Sequence, residues 1–230
     1  MVLDKKQHRI LLFLILKDIF NLEIANKLAF KWWTLCYFAY WLDRFSTDID
    51  LDLVENIDEN YLISKINSIL QNYWEIKDFA KKENTIFWLL NYEKWKDNIK
   101  IEINKRIWKS NKYKIINLFW VDILSQTKDT IFSNKLVALT DRKNIANRDI
   151  YDIWFFLKNN WALNENLIKE RTGKNVDEYL NYVIDFLKKL PKNYKILDWL
   201  WMVLDDKQKI FVKNKLLEET INLLYILKWF

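Results

Sequence analysis

Asp48 and Asp50 lie two residues apart in the stretch Asp48-Ile49-Asp50-Leu51-Asp52-Leu53-Val54. Its period-two alternation predicts a strand over 49–54, and on a strand two such carboxylates leave the same face. A pair of that kind can hold one or two Mg2+ ions, which prefer oxygen ligands and substrate phosphates. Two metals can stabilise both the attacking and the leaving oxygen of a phosphoryl or nucleotidyl transfer. Asp52 continues the same face. Alternating acids are also common on exposed edge strands, so the spacing by itself leaves a solvated surface open.

A second stretch, Lys31-Trp32-Trp33-Thr34, sits between the apolar run 28–30 and a helical pattern from 32 to about 42. A strand-to-helix turn is where backbone N–H groups and the helix N-terminus can receive a phosphate. Thr34 could cap the helix or bond a phosphate oxygen. Two indoles would fill such a site, which raises the question of whether tryptophan belongs there.

The whole chain poses the same question, because its 230 residues include one Gly and 13 Trp. Ordinary usage near ~7% would give about sixteen glycines, and turns and helix C-caps need the positive φ that glycine supplies. Trp95 falls between two strand-like runs, Trp161 follows Lys-Asn-Asn at a helix end, and Trp199 and Trp201 flank a single Leu. Trp108 stands among Arg, Lys, Ser and Asn. These are turn-like places, and the reading they favour is glycine, encoded by UGA, written as tryptophan. Trp154, inside an apolar helical pattern, reads as a true tryptophan. The competing reading makes the indoles stacking platforms for single-stranded nucleic acid or sugar.

The elements that must position these residues follow from periodicity. Residues 5–27 read as a helix, 28–30 as a short strand and 58–73 as a helix, with strand-like runs at about 75–80, 84–92, 97–106 and 113–119. Helical patterns then cover 127–141, 148–159, 164–170, 175–189 and 206–228, with Pro191 marking a boundary. The expected class is α+β: a sheet-bearing part, 1–125, and a helical part, 126–230, completing the active-site cleft.

Composition narrows the function classes. The net charge of +6 favours an anionic partner only weakly, since the lysines are spread along the chain. The apolar run 10–16 is stopped by Lys17-Asp18, too short to span a bilayer, so no membrane partner and a cytoplasmic setting are expected. The lone cysteine, Cys36, excludes an internal disulfide and reads as a buried thiol. His8, the only histidine, follows a Lys-Lys-Gln surface stretch and speaks against a zinc site or a Ser-His-Asp triad.

With glycine at 32 and 33, Lys31-Gly-Gly-Thr34 followed by Arg44-Phe-Ser-Thr-Asp-Ile-Asp50 resembles the AbiEii/AbiGii nucleotidyltransferase toxin family, a branch of the DNA polymerase β-like nucleotidyltransferases. The resemblance extends to His8-Arg-Ile-Leu-Leu12, to Arg148-Asp-Ile-Tyr-Asp152 and to the stretch 197–209, where the family shows Gly-Leu-Gly; it covers most of the chain. It implies a polymerase β-like sheet flanked by helices, with Asp48 and Asp50 as metal ligands and Glu102 as a third carboxylate that completes the metal site or acts as base. Lys135 matches the family's helical lysine, which neutralises nucleotide phosphates, with Arg142 two turns on. Asp149 matches the acid of the Arg-Asp-x-Tyr-Asp segment; it or Asp152 would bind nucleotide or position Lys135, although Arg148 and Asp152 could equally be a structural pair. Lys31, residues 32 and 33, Thr34 and Ser46 fall on the nucleotide side. The implied activity is Mg2+-dependent transfer of a nucleoside monophosphate from an NTP to an acceptor, RNA and tRNA 3′ ends foremost, in a toxin–antitoxin setting with a cognate antitoxin. The rival expectations are a non-catalytic nucleotide- or RNA-binding protein, which genuine Trp32 and Trp33 would favour, and a helical interaction module whose acidic strand is mere surface.

Overall fold

The computed structural model describes residues 4–92, 98–142, 144–191 and 193–229. The chain forms two units, one of residues 1–107 and 113–126, the other of 108–112 and 127–230.

The first unit is built on a seven-stranded mixed sheet. In chain order it contains α1 (Lys5–Phe20), β1 (Leu28–Phe30), α2 (Trp32–Ala39), β2 (Asp48–Leu53), α3 (Glu59–Leu70), β3 (Glu75–Lys81), β4 (Thr85–Asn91), β5 (Asn98–Asn104), β6 (Tyr113–Leu118) and β7 (Val121–Gln126). The strand order is β3-β4-β5-β2-β1-β7-β6, so β2, the strand of paired acids, is central. It runs antiparallel to β1 and parallel to β5. Alternation explains the register. Ile99, Ile101 and Ile103 of β5 and Ile49, Leu51 and Leu53 of β2 turn to one buried face, each side chain contributing roughly 1.5–3 kcal/mol. The acids are thereby sent to the other face. Helix α1 buries Leu12, Ile15, Leu16 and Ile19, at helical spacing.

Several expectations need correction. The first helix stops at Phe20 and a 3-10 turn at Ala25–Lys27 follows. Strand β7 was not foreseen, because the β6–β7 turn carries Phe119-Trp120 in place of the usual turn residues. His8 is not a surface residue. It is buried, edge-on to Phe45, with Nδ1 2.7 Å from the Tyr92 hydroxyl and Nε2 3.0 Å from the Thr47 carbonyl. Cys36 is a buried free thiol, as expected.

The second unit is helical, with α4 (Lys128–Asp141), α5 (Asn147–Lys158), α6 (Glu165–Thr172), α7 (Val176–Lys188), α8 (Asp206–Asn214) and α9 (Leu216–Leu227). The single pattern expected over 206–228 is two helices, broken at Lys215, whose φ is −134°. Capping boxes open α7 (Asn175 with Glu178) and α8 (Asp205 with Gln208), and Gly173 closes α6 in the left-handed conformation that suits glycine.

Among the described residues six others hold positive φ: Trp32 (59°), Trp41 (58°), Phe119 (48°), Trp120 (66°), Asn160 (53°) and Trp199 (66°). Asn160 occupies the left-handed position after α5, so Trp161 does not. Trp161 is buried and stacks on Phe156 at 4.3 Å between ring centroids, which corrects the expectation of glycine there. Trp154 is buried on α5, as expected, and Trp95 lies outside the described residues.

Candidate active site

The β1–α2 turn and β2 are tied together by the polar residues of the two sequence stretches. The Lys31 backbone N–H donates to the Asp50 carbonyl at 3.0 Å, which docks the start of α2 on β2. The fully buried Thr34 hydroxyl donates to the Asp48 carbonyl and lies 2.8 Å from the Ser46 hydroxyl. Thr34 and Ser46 therefore fix where β2 begins; Thr34 makes no helix cap. Arg44, almost wholly buried, lies over the Trp33 ring at 4.7 Å. Trp32 covers the turn, its ring 4.5 Å from the Lys31 ammonium.

Three acids follow on one face of β2, each in a different environment. Asp48 is partly exposed, and one of its carboxylate oxygens accepts from the Thr47 hydroxyl at 3.2 Å. Asp50 is buried, and its carboxyl is pushed up to about 7, by burial first and by the charge of Asp48 second, with Glu102 adding to the rise and Lys31 opposing it. Asp52 is neutralised by its neighbours. It accepts from Lys31 Nζ at 2.7 Å, Asn104 Nδ2 at 2.9 Å, Gln126 Nε2 at 2.6 Å and the Tyr113 hydroxyl at 3.3 Å. Sequence reasoning missed these last three partners, which come from β5, β7 and β6. Only the sheet order brings them together, although an interior Gln and Asn ending two strands was a signal of a buried acid. This burial also removes the reading of β2 as mere acidic surface.

Glu102 stands directly opposite Asp50 in the parallel β2–β5 register. Its carboxylate is paired with Lys100, the residue opposite Asp48. Among the described residues no three acidic, His or Cys side chains close into a ready-made metal cage. The donor chemistry still fits a divalent cation. Asp48 and Asp50 offer oxygen donors on one face, and the Asp50 carboxylate, disfavoured by burial first and by Asp48 second, is a charge that a cation would offset.

The remaining sequence candidates cluster within the helical unit. Lys135 is fully buried on α4, its ammonium 3.0 Å from Asp149 Oδ1 and 3.9 Å from Asp152 Oδ2, both on α5. Burial holds its pKa down to about 8 against the pull of the two carboxylates. Arg142, just past the end of α4, brings Nη1 to 3.1 Å from Asp149 Oδ2, close enough for charge attraction but outside good hydrogen-bond geometry. Asp149 and Asp152 thus both face the Lys135 ammonium.

A central strand of a mixed sheet bearing paired acids beside a strand–turn–helix, together with a helical unit, defines a nucleotidyltransferase-type α+β fold. The chain belongs to the nucleotidyl transferase AbiEii toxin family of type IV toxin–antitoxin systems, whose sequence profile matches residues 15–197. No curated protein sequence matches it. In fold it is similar to JHP933 from Helicobacter pylori, with a TM-score of 0.63 and 21% identity over 99% of this chain and 93% of that one. A putative nucleotidyltransferase from H. pylori is alike to the same degree, with a TM-score of 0.62 and 21% identity over 100% and 95% of the two chains.

Proposed function

We propose that the chain is a Mg2+-dependent nucleotidyltransferase toxin. It transfers a nucleoside monophosphate from an NTP to an RNA acceptor, a tRNA 3′ end foremost, and an antitoxin restrains it in the cytoplasm. The acceptor hydroxyl gives its proton to a base, for which Glu102 is the candidate, and its oxygen bonds to the α-phosphorus as the bond to pyrophosphate breaks. The observation that carries this reading is the environment of Asp48 and Asp50. They are adjacent acids on one face of a central strand, one of them buried and pushed up to about 7. A buried acid whose charge is disfavoured in this way is characteristic of a functional site, where a bound cation offsets that charge.

Asp48 and Asp50 would hold Mg2+, with Glu102 joining once it leaves Lys100; the ion would supply charge stabilisation at the transferring phosphate. Thr34 and Ser46 position Asp48 through its backbone, and the amides of residues 32–34 would receive the triphosphate. Lys31 is committed to Asp52, so its part is to orient the turn. Phosphate neutralisation is assigned to Lys135, with Arg142, Asp149 and Asp152 setting its charge.

A second reading, a nucleotide- or RNA-binding protein without turnover, is favoured by one observation: Trp32 and Trp33 stand at the turn where phosphate would sit. Purified protein, with and without glycine at 32 and 33, is incubated with each α-labelled NTP and total RNA. Label transfer that Asp48→Asn or Asp50→Asn abolishes supports the enzyme. NTP binding without transfer supports the second reading, and the absence of both overturns each.

A further inference from the structure

We infer that the polypeptide made in its own source carries glycine at positions 32, 41, 120 and 199, encoded by UGA, and true tryptophan at 88, 154 and 161. The inference rests on the backbone and is independent of any activity.

Positive φ is uncommon outside glycine and, where it occurs, favours Asn and Asp; a bulky side chain there is an outlier. Of the six non-glycine residues with positive φ among those described, four are tryptophan. Each of the four does a job that glycine does in folded chains. Trp41 follows the cap of α2, where the Leu42 N–H returns to the Cys36 carbonyl at 3.1 Å and closes the helix. Trp120 is the second residue of the two-residue turn between Leu118 and Val121. Phe119 and Trp120, at 48° and 66°, give that turn both positive φ angles of a type I′ hairpin, whose second position strongly favours glycine. Trp199 bends the segment after Ile196, and Trp32 turns the chain from β1 into α2.

The side chains agree with the backbone. Trp41, Trp120 and Trp199 are 89%, 91% and 80% exposed, so these indoles lack the burial that could offset a left-handed backbone. Phe119 differs, because its ring packs edge-on against Phe13 at 5.1 Å. The tryptophans that occupy ordinary backbone and are buried form the opposite group. Trp88 is 0% exposed and donates to Asn67 at 2.7 Å, Trp154 packs on Phe211 at 4.6 Å, and Trp161 stacks on Phe156. Positive φ therefore marks Trp32, which is half-buried, and three exposed tryptophans, while Trp33 is buried on ordinary backbone like the packed set and Trp74, Trp201 and Trp229 are exposed without positive φ. A uniform role as aromatic platforms gives no reason for tryptophan at four positive-φ positions, whereas glycine codons read as tryptophan do.

The test is the gene sequence together with the mass of the natively made protein. UGA is expected at 32, 41, 120 and 199, and UGG at 88, 154 and 161. The tryptic peptide 115–128, which contains only Trp120 of the set, should appear at the glycine mass, and peptide 149–158, with Trp154, at the tryptophan mass. UGG at any of the four positions overturns the inference, and so does UGA with peptide 115–128 at the tryptophan mass. An independent arm uses recombinant protein. Trp41→Gly, Trp120→Gly and Trp199→Gly should each raise the melting temperature, while Trp88→Gly and Trp161→Gly lower it. A fall in melting temperature for all three of the first set refutes the backbone argument.

Discussion

Asp50→Asn should stabilise the protein at pH 8 while removing its function. Burial and the neighbouring charge of Asp48 push the Asp50 carboxyl up to about 7, so the folded chain holds that proton more tightly than the unfolded one. The stability Asp50 contributes is therefore fully present below the ordinary carboxylate range and is lost as pH rises through about 7. Above it, the fold must carry an ionised buried carboxylate. A rise of about three pKa units at ~1.4 kcal/mol each gives roughly 4 kcal/mol at most, and water entering around the unfavourable charge reduces this to about 2–4 kcal/mol. Asparagine keeps the shape and carries no charge at any pH. In urea titrations with chelator, Asp50→Asn should exceed the wild type by that amount at pH 8, the gap closing below pH 5. Added Mg2+ should narrow the gap at pH 8, because a bound dication favours the ionised form. Equal stabilities at pH 8, or a gap that does not change with pH, would refute the electrostatic account of the site.

Lys135→Met should cost about 3–5 kcal/mol, since it takes a buried ammonium away from two buried carboxylates, and the triple variant with Asp149→Asn and Asp152→Asn should recover most of the loss in denaturant titrations. Because burial holds Lys135 down to about 8, below the unfolded value, wild-type stability should climb between pH 8 and the ordinary lysine range, and Lys135→Met should lack that climb. Asp52→Ala should cost a comparable ~3–5 kcal/mol, because the buried Lys31 ammonium loses its carboxylate, with Asp52→Asn intermediate by thermal melting. Asn175→Ala, which removes half of a capping box, should cost about 1 kcal/mol without changing nucleotide binding by calorimetry.

Periodicity carried most of the element boundaries, and the acid pair, the glycine-like turn and the Lys135 segment were all legible as local patterns. Long-range pairing was not. Glu102 could be named from alternation, but only the β2–β5 register sets it opposite Asp50, and nothing local announces that Lys100 engages it. Strand β7 was hidden because the turn before it is written Phe119-Trp120, a dipeptide that no turn preference selects. His8 misled for a related reason. It opens a helix amid charged neighbours, yet its face of α1 turns onto Tyr92, 84 residues away. The glycine-like positions were misread at Trp161 because Asn160 takes the left-handed conformation one residue earlier.

The spacing of Asp48, Asp50 and Asp52 is uniform, yet the three acids are not equivalent, and the difference explains how a central strand tolerates them. Asp52 is encircled by an ammonium, two amides and a phenol, so its charge is spent inside the sheet and adds little to the field at Asp50. Lys31 does double duty, since the residue that neutralises Asp52 also anchors α2 through its backbone. The turn is thereby held beside the acids by the interaction that makes the third acid affordable. Asp48 is partly exposed to water. Only Asp50 is left to burial and to its neighbour. With its carboxyl pushed up to about 7, Asp50 would give up its proton as a cation arrives, so binding should release most of a proton near pH 6 and about a tenth of one at pH 8. Calorimetric Mg2+ titrations in buffers of different ionisation enthalpy measure that count directly. Proton release that is the same at both pH values would mean that Asp50 is not the group the cation meets.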